Sequence, residues 1–164
     1  MVLLTKNMLG GFAGAIVLNV VHQLAKKVDK DAPQIDKIGG EALSKSIKRV
    51  GYDPPKGNKL FLATLVSDVI ANATYYSLIG KGKKKNLLLR GIVYGAVAGI
   101  GALKLTKPIG LDDQPVNKTN KTKAMTIGWY ILGGVTTAIA LKLLDDRRKP
   151  GSLNKKIGRT TRQH

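Results

Sequence analysis

The feature that most constrains the fold of this chain is the separation of its charged residues from its apolar ones. Nearly all of the 28 Lys and Arg residues lie between or after four apolar stretches, at about 7–25, 60–80, 87–103 and 124–141. Only two formal charges, Asp68 and Arg90, fall inside these stretches. A membrane-spanning helix needs about 20 apolar residues, and charges gather at its ends. The pattern therefore predicts an all-α, four-helix transmembrane bundle with spans at about 5–28, 59–80, 86–105 and 124–144.

The competing interpretation is a compact, basic soluble bundle. A surface helix of a soluble protein carries an apolar stripe opposite a charged face, whereas these stretches are apolar around most of their circumference. The strictly apolar part of the third stretch, 91–103, has 13 residues, a length that also fits a buried soluble helix. The membrane interpretation is favoured because the charges are confined between the stretches throughout the chain.

The first connection contains a further helical pattern at about 34–50. Its apolar residues recur at helical spacing, and Lys or Glu residues occupy the other faces. This pattern predicts an amphipathic helix, which lies either in the membrane interface or against the neighbouring loops.

The short turn at 80–85 predicts that the second and third spans are antiparallel neighbours. Residues 1–144 thus form the transmembrane domain, with an uncleaved first span, and 145–164 form a basic tail.

The net charge of +18 raises the question of which anionic partner the chain binds. Aromatic residues make up 5% of the chain and are not interleaved with the basic residues, so a nucleic-acid stacking surface is not predicted. Lys and Arg next to spans attract anionic lipids. The predicted headgroup contacts are Lys81, Lys83, Lys84, Lys85, Arg147 and Arg148.

The orientation of the spans follows only weakly from charge. Lys and Arg number 14 on each side of the membrane when whole loops are counted. The basic residues of the second loop are the more concentrated, and short loops near span ends weigh most in the positive-inside rule. Both termini are therefore predicted to be cytoplasmic, with dual topology as the alternative that the equal count permits.

Enzymatic chemistry is not predicted. The chain has no cysteine, which excludes disulfides, thiolate catalysis and iron–sulfur ligation. His22 and His164 are its only histidines, too few for a typical zinc site. Ser67 beside Asp68 has neither the elbow motif nor the oxyanion hole of a hydrolase. The sequence thus predicts no catalytic residue, no metal site and no cofactor.

A polar face inside the second span is the principal candidate site. Thr64, Asp68, Asn72 and either Tyr75 or Tyr76 recur at helical spacing, so they share one side of this helix. An antiparallel first span would bring Asn19 and His22 near the level of Asp68. The cluster is either a proton- or cation-sensitive site or a hydrogen-bonded group that fixes the register of the helices.

Glycines at every fourth position form the second candidate feature. Gly91, Gly95 and Gly99 make a stripe on the third span, and Gly10 and Gly14 repeat the spacing on the first. Small residues at this spacing let two helix backbones approach closely. The stripes serve either packing inside one bundle or association with a protein partner or a second copy of the chain.

Several short blocks resemble an uncharacterised family of small bacterial polytopic (four-span) membrane proteins. They include Ala32-Pro33 with Asp36 and Gly39, Asp68 with Asn72 and the Tyr75-Tyr76 pair, Leu89-Arg90-Gly91, and Met125-Thr126 with Trp129-Tyr130 and Gly133-Gly134. The resemblance implies a bacterial inner-membrane location and supplies no activity.

The predicted function is that of a non-enzymatic integral membrane protein, a structural, accessory or partner-binding component. The alternative is a small proton- or cation-coupled transporter or channel that uses Asp68. Closed packing around Asp68 would favour the first, and a water-filled vestibule would favour the second.

Overall fold

The computed structural model describes residues 2–146, which fold into helices joined by turns. The α-helices in this range are α1 (Val2–Val28), α2 (Ile35–Arg49), α3 (Gly57–Ser77), α4 (Leu87–Lys104), α5 (Gln114–Asn117) and α6 (Asn120–Asp146). Two 3₁₀ turns, Leu78–Gly80 and Lys84–Asn86, connect α3 to α4. Most of the predicted basic tail, including Arg147 and Arg148, lies outside the described residues.

Four of these helical segments are long and apolar enough to cross a membrane. They are Leu4–Val28, Gly57–Gly80, Lys84–Lys104 and Asn120–Asp145, with 25, 24, 21 and 26 residues. Their bounds fall within a few residues of the predicted spans. The all-α, four-span class is therefore confirmed, and the four helices support a multi-pass membrane protein.

The spanning helices pack in the order α3, α1, α6, α4. The prediction that α3 and α4 are antiparallel neighbours is wrong for most of their length, because the two helices make few contacts with each other. One of these contacts is the hydrogen bond from the hydroxyl of Tyr75 to the carbonyl of Tyr94. Each has another main partner: α3 packs along α1, and α4 packs its own glycine-rich side along α6. Large apolar side chains on the outer faces remain exposed, as lipid contact requires, among them Ile16, Val66, Ile70, Val93, Val97 and Ile139.

The bundle has two ends of different character. At one end the start of α1, the α3–α4 turn and the end of α6 come together. There Lys6 pairs with Asp145, and the Nζ of Lys84 lies 3.4 Å from the same carboxylate. At the other end α2 and the connection between α4 and α6 cover the bundle.

Helix α2 confirms the predicted amphipathic segment and lies on α3. A Cβ atom added to Gly39 would be 2.9 Å from the Cγ2 of Thr64, so the backbone of α2 passes very close to this side chain. Ile35, at the start of α2, is buried against the bundle. The absence of a side chain at Gly39 therefore lets α2 act as a roof over one end of α1 and α3.

Polar contacts tie this roof to the α4–α6 connection. The carboxylate of Glu41 accepts a hydrogen bond of 2.9 Å from the backbone N–H of Asp112. The ammonium of Lys45 and the N–H of Asp112 together hold the pKa of Glu41 below its ordinary value. Further ties are Lys45 Nζ to the carbonyl of Gly110 and the N–H of Gln34 to the carbonyl of Pro115. The roof is thus attached both to α3 and to the opposite half of the molecule.

Candidate functional site

A small polar pocket lies between α1, α2 and α3. The volume open to the centre of a water molecule is about 10 Å³, which is room for about one water. Polar side chains from all three helices line it: Asn19, His22 and Gln23 from α1, Asp36 from α2, and Thr64 and Asp68 from α3.

The α1 wall is formed by polar residues at positions i, i+3 and i+4 of one helix face. Asn19 is 8% exposed and His22 is 3% exposed. The Nδ2 of Asn19 donates to the carbonyl of Ala15 at 3.0 Å. The Nε2 of His22 is buried and has no hydrogen-bond partner within the described part of the chain.

Aromatic rings of α6 hold the His22 imidazole in place. Its centroid lies 5.1 Å from that of Trp129 and 6.0 Å from that of Tyr130, both in edge-to-face geometry. Such edge contacts favour one orientation of a ring pair. The imidazole is therefore fixed by packing, while its Nε2 remains free to bind another group.

The α3 wall carries a hydroxyl and a carboxylate one helical turn apart. Thr64 is 3% exposed, and its Oγ1 is buried without a hydrogen-bond partner among residues 4–145. The half-buried carboxylate of Asp68 is approached by the side-chain amides of Asn19 and Asn72. Over the same residues, no Lys, Arg or His forms an ion pair with Asp68.

The roof contributes a second carboxylate, whose charge is compensated. Asp36 forms an ion pair of 2.8 Å with the Nζ of Lys26, near the end of α1. This pair joins α2 to α1 beside the pocket. The two carboxylates thus differ, since Asp36 has a cationic partner and Asp68 has only amide neighbours.

The structure brings four of the residues named for the predicted polar cluster into one pocket, Thr64 among them. Asn19, His22 and Asp68 line the pocket, although His22 and Asp68 form no ion pair in the described structure. Asn72 lies beside Asp68 and donates to its backbone carbonyl at 3.0 Å. Tyr75 is directed elsewhere, because its hydroxyl donates to the carbonyl of Tyr94 on α4 at 3.0 Å.

Asp36 is the site residue that sequence reasoning missed. It lies at the start of an amphipathic helix, where an acidic residue is ordinarily explained by the helix dipole. Only the fold shows that the first connection returns over α1 and places this residue above the span. One signal was available in the sequence. Lys26 follows His22 by four residues, so it places a cation on the same face of α1, where an acidic partner could be sought.

The side chains that line the pocket do not form a ligand set for a transition metal. Among the residues that the structure describes, no group of three His, Cys, Asp or Glu side chains comes together in a way that could hold a metal ion. The imidazole and the two carboxylates line one pocket without converging on one point.

The predicted glycine stripe faces α6. Added Cβ atoms at Gly95 and Gly99 would lie 2.5 Å from the Cα of Ile131 and 2.7 Å from the Cα of Ile127. A Cβ at Gly91 would overlap the backbone of Gly134. These three glycines therefore permit direct backbone contact between α4 and α6 within one chain.

The two predicted stripe glycines of α1 also face α6, whereas Gly11 faces the backbone of Ala73 on α3. A Cβ at Gly10 would overlap the side chain of Leu141, and one at Gly14 would overlap the carbonyl of Gly133 and the side chain of Thr137. The central position of α6 in the bundle therefore depends on small residues of two neighbouring helices.

The predicted lipid-contacting lysines are exposed at the end of the bundle where α1 begins. Lys81, Lys83, Lys84 and Lys85 all lie on the turn between α3 and α4. Nearby, Arg90 packs against Gly82, and its Nε and Nη2 are buried without a hydrogen-bond partner in the described residues. This end therefore presents a concentrated positive charge.

No protein-family model, curated protein or solved structure matches this chain. Its function is therefore argued from the polar pocket, the glycine contacts and the basic turn themselves.

Proposed function

We propose that this chain is a non-enzymatic multi-pass membrane protein that serves as a structural, accessory or partner-binding component of the membrane. The observation that carries the proposal is the closed packing around Asp68, where the cavity has room for about one water molecule. A pathway for a hydrated solute needs a wider, continuous space.

The proposed location is the bacterial inner membrane. Both termini are placed in the cytoplasm, because the dense basic turn between α3 and α4 then lies on the cytoplasmic side, as the positive-inside rule requires.

Reconstitution into liposomes tests this proposal. We expect no proton, Na⁺ or K⁺ flux above that of protein-free liposomes, measured with pH- and ion-sensitive dyes under imposed gradients. We also expect Asp68→Asn to insert and accumulate like the unaltered chain, because Asn keeps the shape and the hydrogen bonds of Asp. A flux that Asp68→Asn abolishes while the fold survives would contradict the structural assignment.

The basic turn is proposed to bind anionic lipid headgroups. Lysines near a membrane surface each contribute about 1 kcal/mol of attraction to anionic lipid. Replacing Lys81, Lys83, Lys84 and Lys85 by Gln should weaken the preference for anionic over zwitterionic lipid, measured by native mass spectrometry of lipids retained from mixed nanodiscs. Added salt should reproduce the effect.

A matched control removes the same number of positive charges at the opposite end of the bundle. Lys37, Lys48, Lys56 and Lys59 are all exposed there. Their replacement by Gln should leave the lipid preference closer to that of the unaltered chain. Equal losses in the two variants would show that total charge, rather than this turn, sets the preference.

A second candidate function is coupling to a proton or a cation. The observation that favours it is that two residues with an unpartnered buried atom, His22 at Nε2 and Thr64 at Oγ1, line the same pocket as Asp68. Ionisable groups inside a membrane span mark ion and proton sites in many transporters. In this alternative Asp68 is the residue that carries the coupling, with His22 and Asn72 beside it.

A further inference from the structure

The polar pocket beneath α2 contains more hydrogen-bond acceptors than donors. The carboxylates of Asp36 and Asp68 accept only, and the hydroxyl oxygen of Thr64 has free lone pairs. The amides of Asn19 and Asn72 already approach Asp68. Oxygen acceptors that line one small pocket favour a hard cation.

The charges around the pocket leave one negative charge uncompensated. Lys26 neutralises Asp36 across 2.8 Å, whereas Asp68 has no ion-pair partner in the part of the chain that the structure describes. A carboxylate within a membrane span is costly unless it is paired or neutralised. A single positive charge in the pocket would meet this requirement.

The size and composition of the pocket restrict the ligand. The space open to a water centre is about 10 Å³, which admits one water-sized particle and excludes a hydrated ion or an organic cation. Among the described residues no three His, Cys, Asp or Glu side chains come together as a transition metal requires. A dehydrated alkali cation, which takes oxygen ligands and carries a single charge, meets these limits.

We propose that this pocket binds one dehydrated monovalent alkali cation, with the Asp68 carboxylate and the Thr64 hydroxyl as ligands under the roof formed by α2. The inference rests on the second candidate function above, because it assigns a ligand to the same polar cluster. Binding does not require transport. A cation held here would also stabilise the contact of α2 with α3, since Thr64 lies directly beneath Gly39.

The test measures the thermal unfolding midpoint of the full chain in detergent, in NaCl, in KCl and in choline chloride at equal ionic strength. We expect Na⁺ or K⁺ to raise the midpoint in a saturable way relative to choline, which is too large for the pocket. Anything that binds only the folded state produces this dependence on ligand concentration.

Two pairs of variants locate the effect. Asp68→Asn and Thr64→Val should each raise the half-saturating cation concentration, by about tenfold or more for the loss of the charged ligand. The matched controls are Asp53→Asn, at an exposed carboxylate, and Thr74→Val, at an exposed threonine of the same helix whose hydroxyl bonds the carbonyl of Ile70. Both controls should behave like the unaltered chain.

Equal midpoints in sodium, potassium and choline chloride would overturn the proposal, as would an unchanged cation dependence in Asp68→Asn or an equal loss in Thr74→Val. Thr64→Val gives a second readout that leaves the Asp68 carboxylate in place. Flux in liposomes is measured separately. Cation binding without flux supports the site and argues against the transporter, whereas flux without saturable cation binding overturns the site alone.

Discussion

The two outer helices of the bundle are attached to the inner pair by interfaces that differ in polarity. Both interfaces contain close backbone contact at glycine, since a Cβ added to Gly11 of α1 would overlap the backbone of Ala73 on α3. Helix α4 joins α6 through glycines, so that backbone meets backbone at Gly91, Gly95 and Gly99. Helix α3 joins α1 through an interface that includes polar side chains at Asn19, His22 and Asp68. Both solutions suit a membrane, where the hydrophobic effect does not drive one helix onto another.

The contrast indicates how each interface responds to change. A backbone contact has no rotamers, so it is rigid and has no room for an added atom. A polar contact can exchange partners, and here it leaves two buried polar atoms and a one-water space. The α4–α6 pair is therefore expected to be the scaffold, and the α1–α3 pair with its roof is expected to hold the variable, ligand-responsive part.

The largest effect is expected from adding a methyl group at the rigid interface. Gly95→Ala would place a Cβ 2.5 Å from the Cα of Ile131, and backbone atoms cannot move aside cheaply. Overpacking of this kind costs about 1–3 kcal/mol, or more where the backbone must shift. Steric-trap or denaturant unfolding in bicelles should show this loss.

The matched control is Gly128→Ala on α6. A Cβ there would have nothing within 4 Å, so the substitution should be neutral or slightly stabilising, since Ala favours a helix over Gly. Equal destabilisation by the two substitutions would show that close backbone contact is not what holds α4 to α6.

The glycine contacts could be predicted from the sequence, and the partner helix could not. Spacing at every fourth residue shows that Gly91, Gly95 and Gly99 share a face, which is a local property of any helix. Which helix fills that face depends on long-range packing. The short turn before α4 suggested α3 as its neighbour, whereas α6 provides the small residue Gly134 that close approach requires.

The candidate site could likewise be predicted only in part, because local spacing can be read from the sequence and long-range packing cannot. The level of Asp68 relative to His22 followed from helix rise, so their common pocket could be expected. The return of the first connection over α1 depends on its contacts with Thr64 and with the α4–α6 connection. No periodicity within the segment 29–56 reports such contacts, and Asp36 was missed.

The next effect concerns the polar interface. Asp68→Leu should destabilise the chain by about 1–3 kcal/mol, because it removes the carboxylate that the amides of Asn19 and Asn72 approach and leaves each amide only its backbone carbonyl acceptor. Asp68→Asn should cost clearly less, since it can still accept a hydrogen bond. Comparable unfolding free energies for the Leu and Asn variants would show that the amides find other partners and that the polar interface does not depend on Asp68.

A smaller effect tests the link between the two halves. The buried hydroxyl of Tyr76 on α3 donates to the carbonyl of Tyr130 on α6 at 2.8 Å. Tyr76→Phe should cost about 0.5–1.5 kcal/mol in unfolding free energy. Tyr75→Phe is the matched control, because its hydroxyl is only half-buried and reaches α4 instead. A greater loss from Tyr75→Phe would place the link at α4.

The smallest effect is expected at the edge of the roof, where pH acts on exposed carboxylates. A hydrogen bond from Lys121, with a second from the N–H of Asp31, lowers the pKa of Asp29, and Lys45 and the N–H of Asp112 lower that of Glu41. A carboxyl group whose pKa is lowered by folding contributes stability above its ordinary pKa, and this contribution is lost as the pH falls through the lowered value. Hydrogen-exchange protection of α2, corrected for the intrinsic rate, should therefore be constant from pH 8 to pH 5 and should fall below about pH 4.

The α4–α6 contact is the internal control. It contains no such carboxyl group among Gly91, Gly95 and Gly99, so the hydrogen-exchange protection of α4 should not change. Glu41→Gln should reduce the acid response of α2, while Asp53→Asn should not. Acid loosening of α4 together with α2 would show that the roof and the scaffold are one cooperative unit.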